Sequence, residues 1–156
     1  MFDREQPPPE GPYELLYDEE CGVCRAAVRG VLKLAPQGRI RPVGLRTDRA
    51  AELFPDLSED GRLASFHLVA PTGQRWSGAE AVSHLLYEIP SLRPVAGLLR
   101  GTPALQRATA SAYGWVAANR GRMSRYFPEA WKRPIGDGAG EERPGYHEPP
   151  GGFEER

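Results

Sequence analysis

Residues 13 to 36 read "YELLYDEECGVCRAAVRGVLKLAP", and this stretch decides the fold. Tyr13 to Tyr17 form a short apolar run bounded by turn signals, as expected of a buried strand. An acidic cluster follows, Asp18, Glu19 and Glu20. Cys21 and Cys24 come next, the only 2 cysteines in the chain. From Cys24 to Ala35 the pattern turns helical: Val28, Val31, Leu32 and Ala35 share one apolar face. Pro36 and Gly38 then stop the helix. A strand that leads into a helix, with both thiols at the junction, is the feature to explain.

Outward from this point the chain alternates strands and helices. "RIRPVGL", residues 39–45, is a second strand. Pro42 lacks an amide donor and so confines it to a sheet edge or an early end. Asp48 is placed to cap a short helix through Phe54. "ASFHLVA", residues 64–70, then "PTGQ" and "RW", form a hairpin. Ser77 and Glu80 have the spacing of a capping box. Val82, Leu85, Leu86 and Ile89 supply the apolar stripe of the helix that follows, which Pro90 ends. Two further helical pieces cover about 92–100 and 103–126. Thr102 is the expected cap of the second, with Pro103 at its first position, where a missing N–H costs nothing. The order is β-α-β-α-β-β-α with extra C-terminal helices. A crossover helix makes the first two strands parallel, and the hairpin adds an antiparallel strand. This is an α/β, thioredoxin-like mixed sheet.

The 156 residues suit one domain. Residues 1–12, with three successive prolines, read as a disordered leader, and residues 13–133 as the domain with its helical extension. Residues 134–156, with 6 glycines, 4 prolines and an acidic excess, read as a disordered tail. The leader has no apolar core of a signal peptide. No run approaches the apolar length of a membrane span. A cytoplasmic location is the expectation, where thiols stay reduced. The formal net charge of −1 gives no global pull toward nucleic acid. Locally, residues 89–127 contain no Asp or Glu but carry Arg93, Arg100, Arg107, Arg120, Arg122 and Arg125. That stretch is either a solvated helical face or a surface for an acidic partner.

The thiols carry the chemistry. The first amides of a helix lack internal partners, and the helix dipole places partial positive charge there. A free cysteine is about 3% thiolate at pH 7. At a helix N-terminus in a C-x-x-C pair the pKa falls to about 7 or lower, so half or more is ionised. The spacing lets the two sulfurs meet: Cys21 attacks a disulfide, and Cys24 resolves the mixed disulfide. A structural disulfide over so short a loop would contribute only about 2 kcal/mol. A metal site would need His67, His84 or His147 to supplement two thiolates, and none has ligand spacing. The acidic cluster opposes a thiolate unless Glu19 and Glu20 point into solvent, and Arg25 is placed to offset it. Asp18 either shapes the loop through amide hydrogen bonds or relays a proton to Cys24.

"LLYDEECGVC", "SFHLV…GQRWSGAEAVSHLL" and "YGWVAANR" together resemble the DCC family, predicted thiol-disulfide oxidoreductases of thioredoxin-like fold that are often described only as a domain of unknown function. The resemblance runs over about residues 13–127. It implies a redox pair at Cys21 and Cys24 with the motif aspartate at Asp18. Two positions depart from the pattern. Glu19 stands where the family has glycine, which would be strained if φ were positive. Thioredoxins in general carry a cis-proline just before the third strand, where this chain reads "GRLASF" with none, so Ala64 or Ser65 takes the place that faces the cysteines and would meet substrate. The implied activity is disulfide exchange of the protein-disulfide reductase type. It needs a protein or small-molecule disulfide and an external thiol reductant, with no bound cofactor, metal, nucleic acid or membrane span. The alternative is a non-catalytic interaction module or redox sensor that presents its Arg-rich C-terminal helices, with Tyr113, Trp115 and Tyr126 as anchors.

Overall fold

The computed structural model describes residues 10–131 and 133–135. Four strands make one sheet in the order β2-β1-β3-β4. They are β1 (Tyr13–Tyr17), β2 (Ile40–Gly44), β3 (His67–Val69) and β4 (Arg75–Ser77). β1 pairs with β2 in parallel and with β3 antiparallel, so Leu15 lies opposite Pro42 on one side and Leu68 on the other. β3 and β4 form the expected hairpin. β2 is an edge strand, where the missing N–H of Pro42 leaves no gap in a second ladder.

The period of two along β1 separates two cores. Tyr13, Leu15 and Tyr17 pack with Val28 of α1 (Gly22–Leu34) and with Ala81 and Leu85 of α4 (Gly78–Glu88). Leu16 points to the other face, with Ala50 of α2 (Asp48–Leu53) and Phe54; Leu63, from α3 (Glu59–Leu63), packs against this second core. Glu14 shares that second face, and its buried carboxylate is held by Arg49 Nη2 at 2.9 Å. Helices thus cover both faces of a thioredoxin-like mixed sheet. Two C-terminal helices, α5 (Arg93–Gly101) and α6 (Pro103–Met123), pack outside, α6 against both α1 and α4.

Several local expectations are corrected. Thr47, not Asp48, caps α2: its Oγ1 accepts the Ala50 N–H at 3.3 Å, and Asp48 is the first helical residue. α3 was not expected; the stretch before β3 is helical, and the strand is only three residues long. Ser77 stands at the N-cap of α4 without a capping hydrogen bond, because its Oγ lies 2.6 Å from His67 Nδ1. Thr102 precedes α6 without a side-chain cap, though Pro103 holds the first turn as expected. The leader 1–12 and tail 134–156 lie almost entirely outside the described residues. Of the tail, Ile135 packs against the core, and Arg29 Nη2 donates to the Pro134 carbonyl at 2.9 Å.

Candidate active site at the Cys21–Cys24 pair

β1 delivers its C-terminal end into a tight turn built by Asp18. The Asp18 Oδ1 accepts the Glu20 N–H at 3.1 Å, and its carbonyl accepts the Cys21 N–H, also at 3.1 Å. This local side-chain turn sets the chain up to enter α1. Cys21 is the N-cap residue, with extended backbone (φ −82°, ψ 113°). Its Sγ accepts the Cys24 N–H at 3.4 Å, so a sulfur takes the place that a Ser or Asp oxygen usually fills.

The consequence is electrostatic. The Cys24 thiol donates to the Cys21 sulfur, and with the Cys24 N–H this outweighs partial burial, lowering the Cys21 pKa to about 6. Asp18 pulls the other way, and Arg120 assists. Cys24 is pushed far up, first because its proton is the one shared with Cys21 and then because it is buried. The pair divides the work: one anion at neutrality and one retained proton. Neither cysteine is in a disulfide.

The acidic cluster is disposed unevenly. Glu20 points outward with its side chain 72% exposed, 3.3 Å from Arg46. Glu19 instead folds back: its Oε1 accepts the Arg46 N–H at 3.2 Å, and its carboxyl lies over Gly44, where an added Cβ would sit 2.8 Å away. Among the described residues no non-glycine has positive φ, so Glu19 is not strained in the place of the family glycine. Arg25 does not face the carboxylates; its Nη1 donates to the Glu19 carbonyl at 3.1 Å. Asp18 is buried and tied to Arg46 Nη1 at 2.6 Å, with Arg120 Nη2 at 3.8 Å.

Each cysteine faces its own space. Cys21 borders an open cleft of about 310 Å³ together with Arg46, Gly121 and Ser124. Cys24 lies in the wall of a second cavity, about 220 Å³, between α1, the sheet and α6. Its walls are mainly apolar, among them Val28, Val31, Phe66, Val116 and Ala117. Asp18 and Arg120 border both spaces. Of the two positions expected to face the cysteines, Ser65 lines the Cys24 cavity, while Ala64 is exposed and ends α3.

Sequence reasoning missed Tyr113 and Arg120 as parts of this site. The Tyr113 hydroxyl accepts the Phe66 N–H at 3.1 Å, fixing the segment before β3 beside Cys24. Tyr113 is therefore half-buried in the fold rather than presented as an anchor. Arg120 Nη2 donates to the Leu63 carbonyl at 3.1 Å. Their signal was the aromatic–Asn-Arg stretch, which spacing alone does not connect to a turn about 100 residues earlier.

The histidines go elsewhere. His67 is buried between Ser77 and the Arg62 carbonyl, 2.9 Å from Nε2, and packs on Phe54. His84 stacks on Trp76 with ring centroids 4.0 Å apart. His147 lies outside the described residues. Among the described residues no three His, Cys, Asp or Glu side chains are grouped to hold a metal ion, and no helix is long and apolar enough to cross a membrane.

A protein-family model described as DCC1-like thiol-disulfide oxidoreductase matches residues 15–126. No curated protein and no solved structure matches the chain. The match takes in the last three residues of β1, both cysteines and all of α6, and so most of the chain. The chain belongs to the DCC1-like thiol-disulfide oxidoreductase family.

Proposed function

We propose that the protein is a dithiol-disulfide oxidoreductase that acts as a disulfide reductase through Cys21 and Cys24. The observation that carries this reading is the Cys21 sulfur at the N-cap of α1, receiving the Cys24 N–H while Cys24 keeps its proton beneath it. The Cys21 thiolate attacks one sulfur of a substrate disulfide. The substrate S–S bond breaks, its electron pair leaves with the departing thiolate, and a mixed disulfide forms. Cys24 then loses its proton and attacks the Cys21 sulfur. The second substrate thiolate leaves, and the protein keeps a Cys21–Cys24 disulfide. Two electrons pass from the protein to the substrate, and an external thiol reductant returns them. Cys21 is the attacker because it borders the open cleft; Asp18 shapes the turn that delivers it, and Ser65, in the wall of the Cys24 cavity, is the candidate for the substrate loop. A reducing compartment such as the cytosol suits this direction of flow.

The test is mixed-disulfide trapping. Cys24→Ser should accumulate a covalent adduct with a disulfide peptide, released by dithiothreitol, and Cys21→Ser should form none. The reading fails if Cys24→Ser traps nothing and Cys21 alkylates no faster at pH 7 than a peptide thiol.

One observation favours a second reading, an interaction module or redox sensor. Trp115 on α6 and Tyr126 just after it are 61% and 81% exposed, near the exposed Arg122 and Arg125. Under this reading, replacing Trp115, Arg122 and Arg125 would abolish binding of an acidic partner and leave exchange with a small disulfide untouched.

A further inference from the structure

Disulfide exchange needs an anion at two sulfurs in turn. Cys21 has the Cys24 N–H and the end of α1 to stabilise it. Cys24 lies one turn deeper, against apolar walls, where an unpaired charge is costly. Among the described residues that line this cavity, Arg120 is the one cation. Arg46 borders only the Cys21 cleft. The Arg120 guanidinium is anchored at the boundary of the two spaces by the Leu63 carbonyl, 3.1 Å from Nη2.

We propose that Arg120 is the counter-cation of the resolving step, stabilising the Cys24 thiolate as that sulfur attacks the mixed disulfide. This rests on the disulfide-exchange reading above. In that step the Cys24 proton leaves to water, the Cys24 and Cys21 sulfurs bond, and the bond from Cys21 to substrate breaks. The electron pair of that bond departs with the substrate thiolate. No further oxidant is needed.

The charged and titratable groups facing Cys24 are few. They are Cys21 on its own helix, Asp18 from the turn after β1, and Tyr113 and Arg120 from α6. In the mixed disulfide Cys21 carries no charge. The Tyr113 hydroxyl stays neutral, its pKa raised by burial. What remains is Asp18 against Arg120, and at Cys24 the guanidinium outweighs the carboxylate. At Cys21 the order reverses, and Asp18 outweighs Arg120. Asp18 is also held by Arg46 at 2.6 Å, which blunts its charge. Without Arg120, Cys21 still has the Cys24 N–H and the end of α1, whereas the described residues lining the Cys24 cavity keep no cation, so losing Arg120 handicaps resolution more than attack. A low-dielectric wall magnifies the difference, because a charge acts more strongly there than in water.

The experiment follows the full-length reduced chain in a rapid-mixing instrument with glutathione disulfide as probe. Attack is read in the Cys24→Ser background as adduct formation. Resolution is read as release of the second glutathione from chains with both cysteines. In Arg120→Met the ratio of resolution rate to attack rate should fall about tenfold, the equivalent of one unit of thiol pKa. The pH midpoint of resolution should rise. Arg120→Lys, which keeps the cation, should recover most of both. The proposal is overturned if Met slows the two steps equally, if the midpoint stays put, or if Lys is as slow as Met. Failure of Cys24→Ser to form any adduct would instead overturn the underlying disulfide-exchange reading, and this proposal with it.

Discussion

Arg46 Nη1 lies 2.6 Å from Asp18 Oδ1, and the same carboxylate oxygen accepts the Glu20 N–H, so one ion pair braces the turn that hands Cys21 to α1. This geometry weighs on the side of shaping rather than proton relay, since the oxygen is committed to two donors. Asp18→Asn keeps an acceptor for the Glu20 N–H and removes the charge that opposes the Cys21 thiolate. We expect the Cys21 alkylation profile to move to lower pH, with mixed-disulfide resolution not slowed. A resolution rate that collapses in Asp18→Asn would restore the relay role. Asp18→Ala, which takes away the acceptor as well, should destabilise the fold by about 1–3 kcal/mol in urea titrations.

The low Cys21 pKa depends first on its neighbour. Iodoacetamide labelling of the reduced chain should rise through a midpoint near pH 6, and Cys24→Ala should carry that midpoint toward the ordinary thiol range, because the donated S–H is the largest stabilising contact. Cys24→Ser, whose hydroxyl can still donate, should fall between. If Cys24→Ala labels with the unchanged midpoint, the anion is held by the helix end alone. The same shift has a stability consequence. The folded pKa is depressed, so the unfolded chain holds its Cys21 proton to higher pH than the native chain. The reduced protein should gain stability from this group as pH rises from about 6 to about 9 and lose it on the way down.

How far the sequence carried is visible at particular residues. The apolar run Tyr13–Tyr17, the helical period from Cys24 and the break at Pro36 are local signals, and the parallel β1–β2 pair with its edge proline followed from them. The C-x-x-C position at a helix start was legible for the same reason. What was not legible depends on contacts across the chain. Ser77 has the spacing of a capping box, yet its hydroxyl goes to His67, a partner that only the β3–β4 pairing brings near. Whether Glu19 points into solvent was open in the sequence; the close approach of Gly44 on the neighbouring strand gives its carboxyl a place to lie. Tyr113 and Arg120 belong to the site only because α6 packs back on α1 and α4. Side chains that bond across layers cannot be read from spacing, and even within one turn the α2 cap fell to Thr47 rather than the neighbouring Asp48.

Gly78 joins the hairpin to α4 in the left-handed region, φ +58°, and a Cβ there would lie 3.5 Å from the Tyr113 ring. Its N–H donates to the Phe66 carbonyl at 3.0 Å, so the same two residues that fix the segment beside Cys24 meet at this glycine. Gly78→Ala has room for its methyl group but not the backbone angle, and should cost about 1–2 kcal/mol. Chemical denaturation checks this, and an unchanged midpoint would mean that the backbone relaxes without loss.

Acid should unfold the protein earlier than its carboxylates alone require. His67 is 2% exposed and held below the ordinary histidine pKa by burial. His84, stacked on Trp76, is lowered to about 4, by burial first and then by Arg100. His84 is neutral in the native state near pH 6, where the unfolded chain already takes up protons, and burial pushes His67 in the same direction. Depressed folded values mean that this stability is complete above about pH 6.5 and is lost as pH falls toward 4. His84→Phe preserves a ring against Trp76 and cannot titrate. Urea midpoints measured at several values between pH 7 and pH 4 should therefore fall less steeply for His84→Phe than for the native sequence, while the two converge in slope above pH 7. Equal slopes across the acid range would show that His84 protonates in the folded state without penalty, and that its stack on Trp76 tolerates the charge.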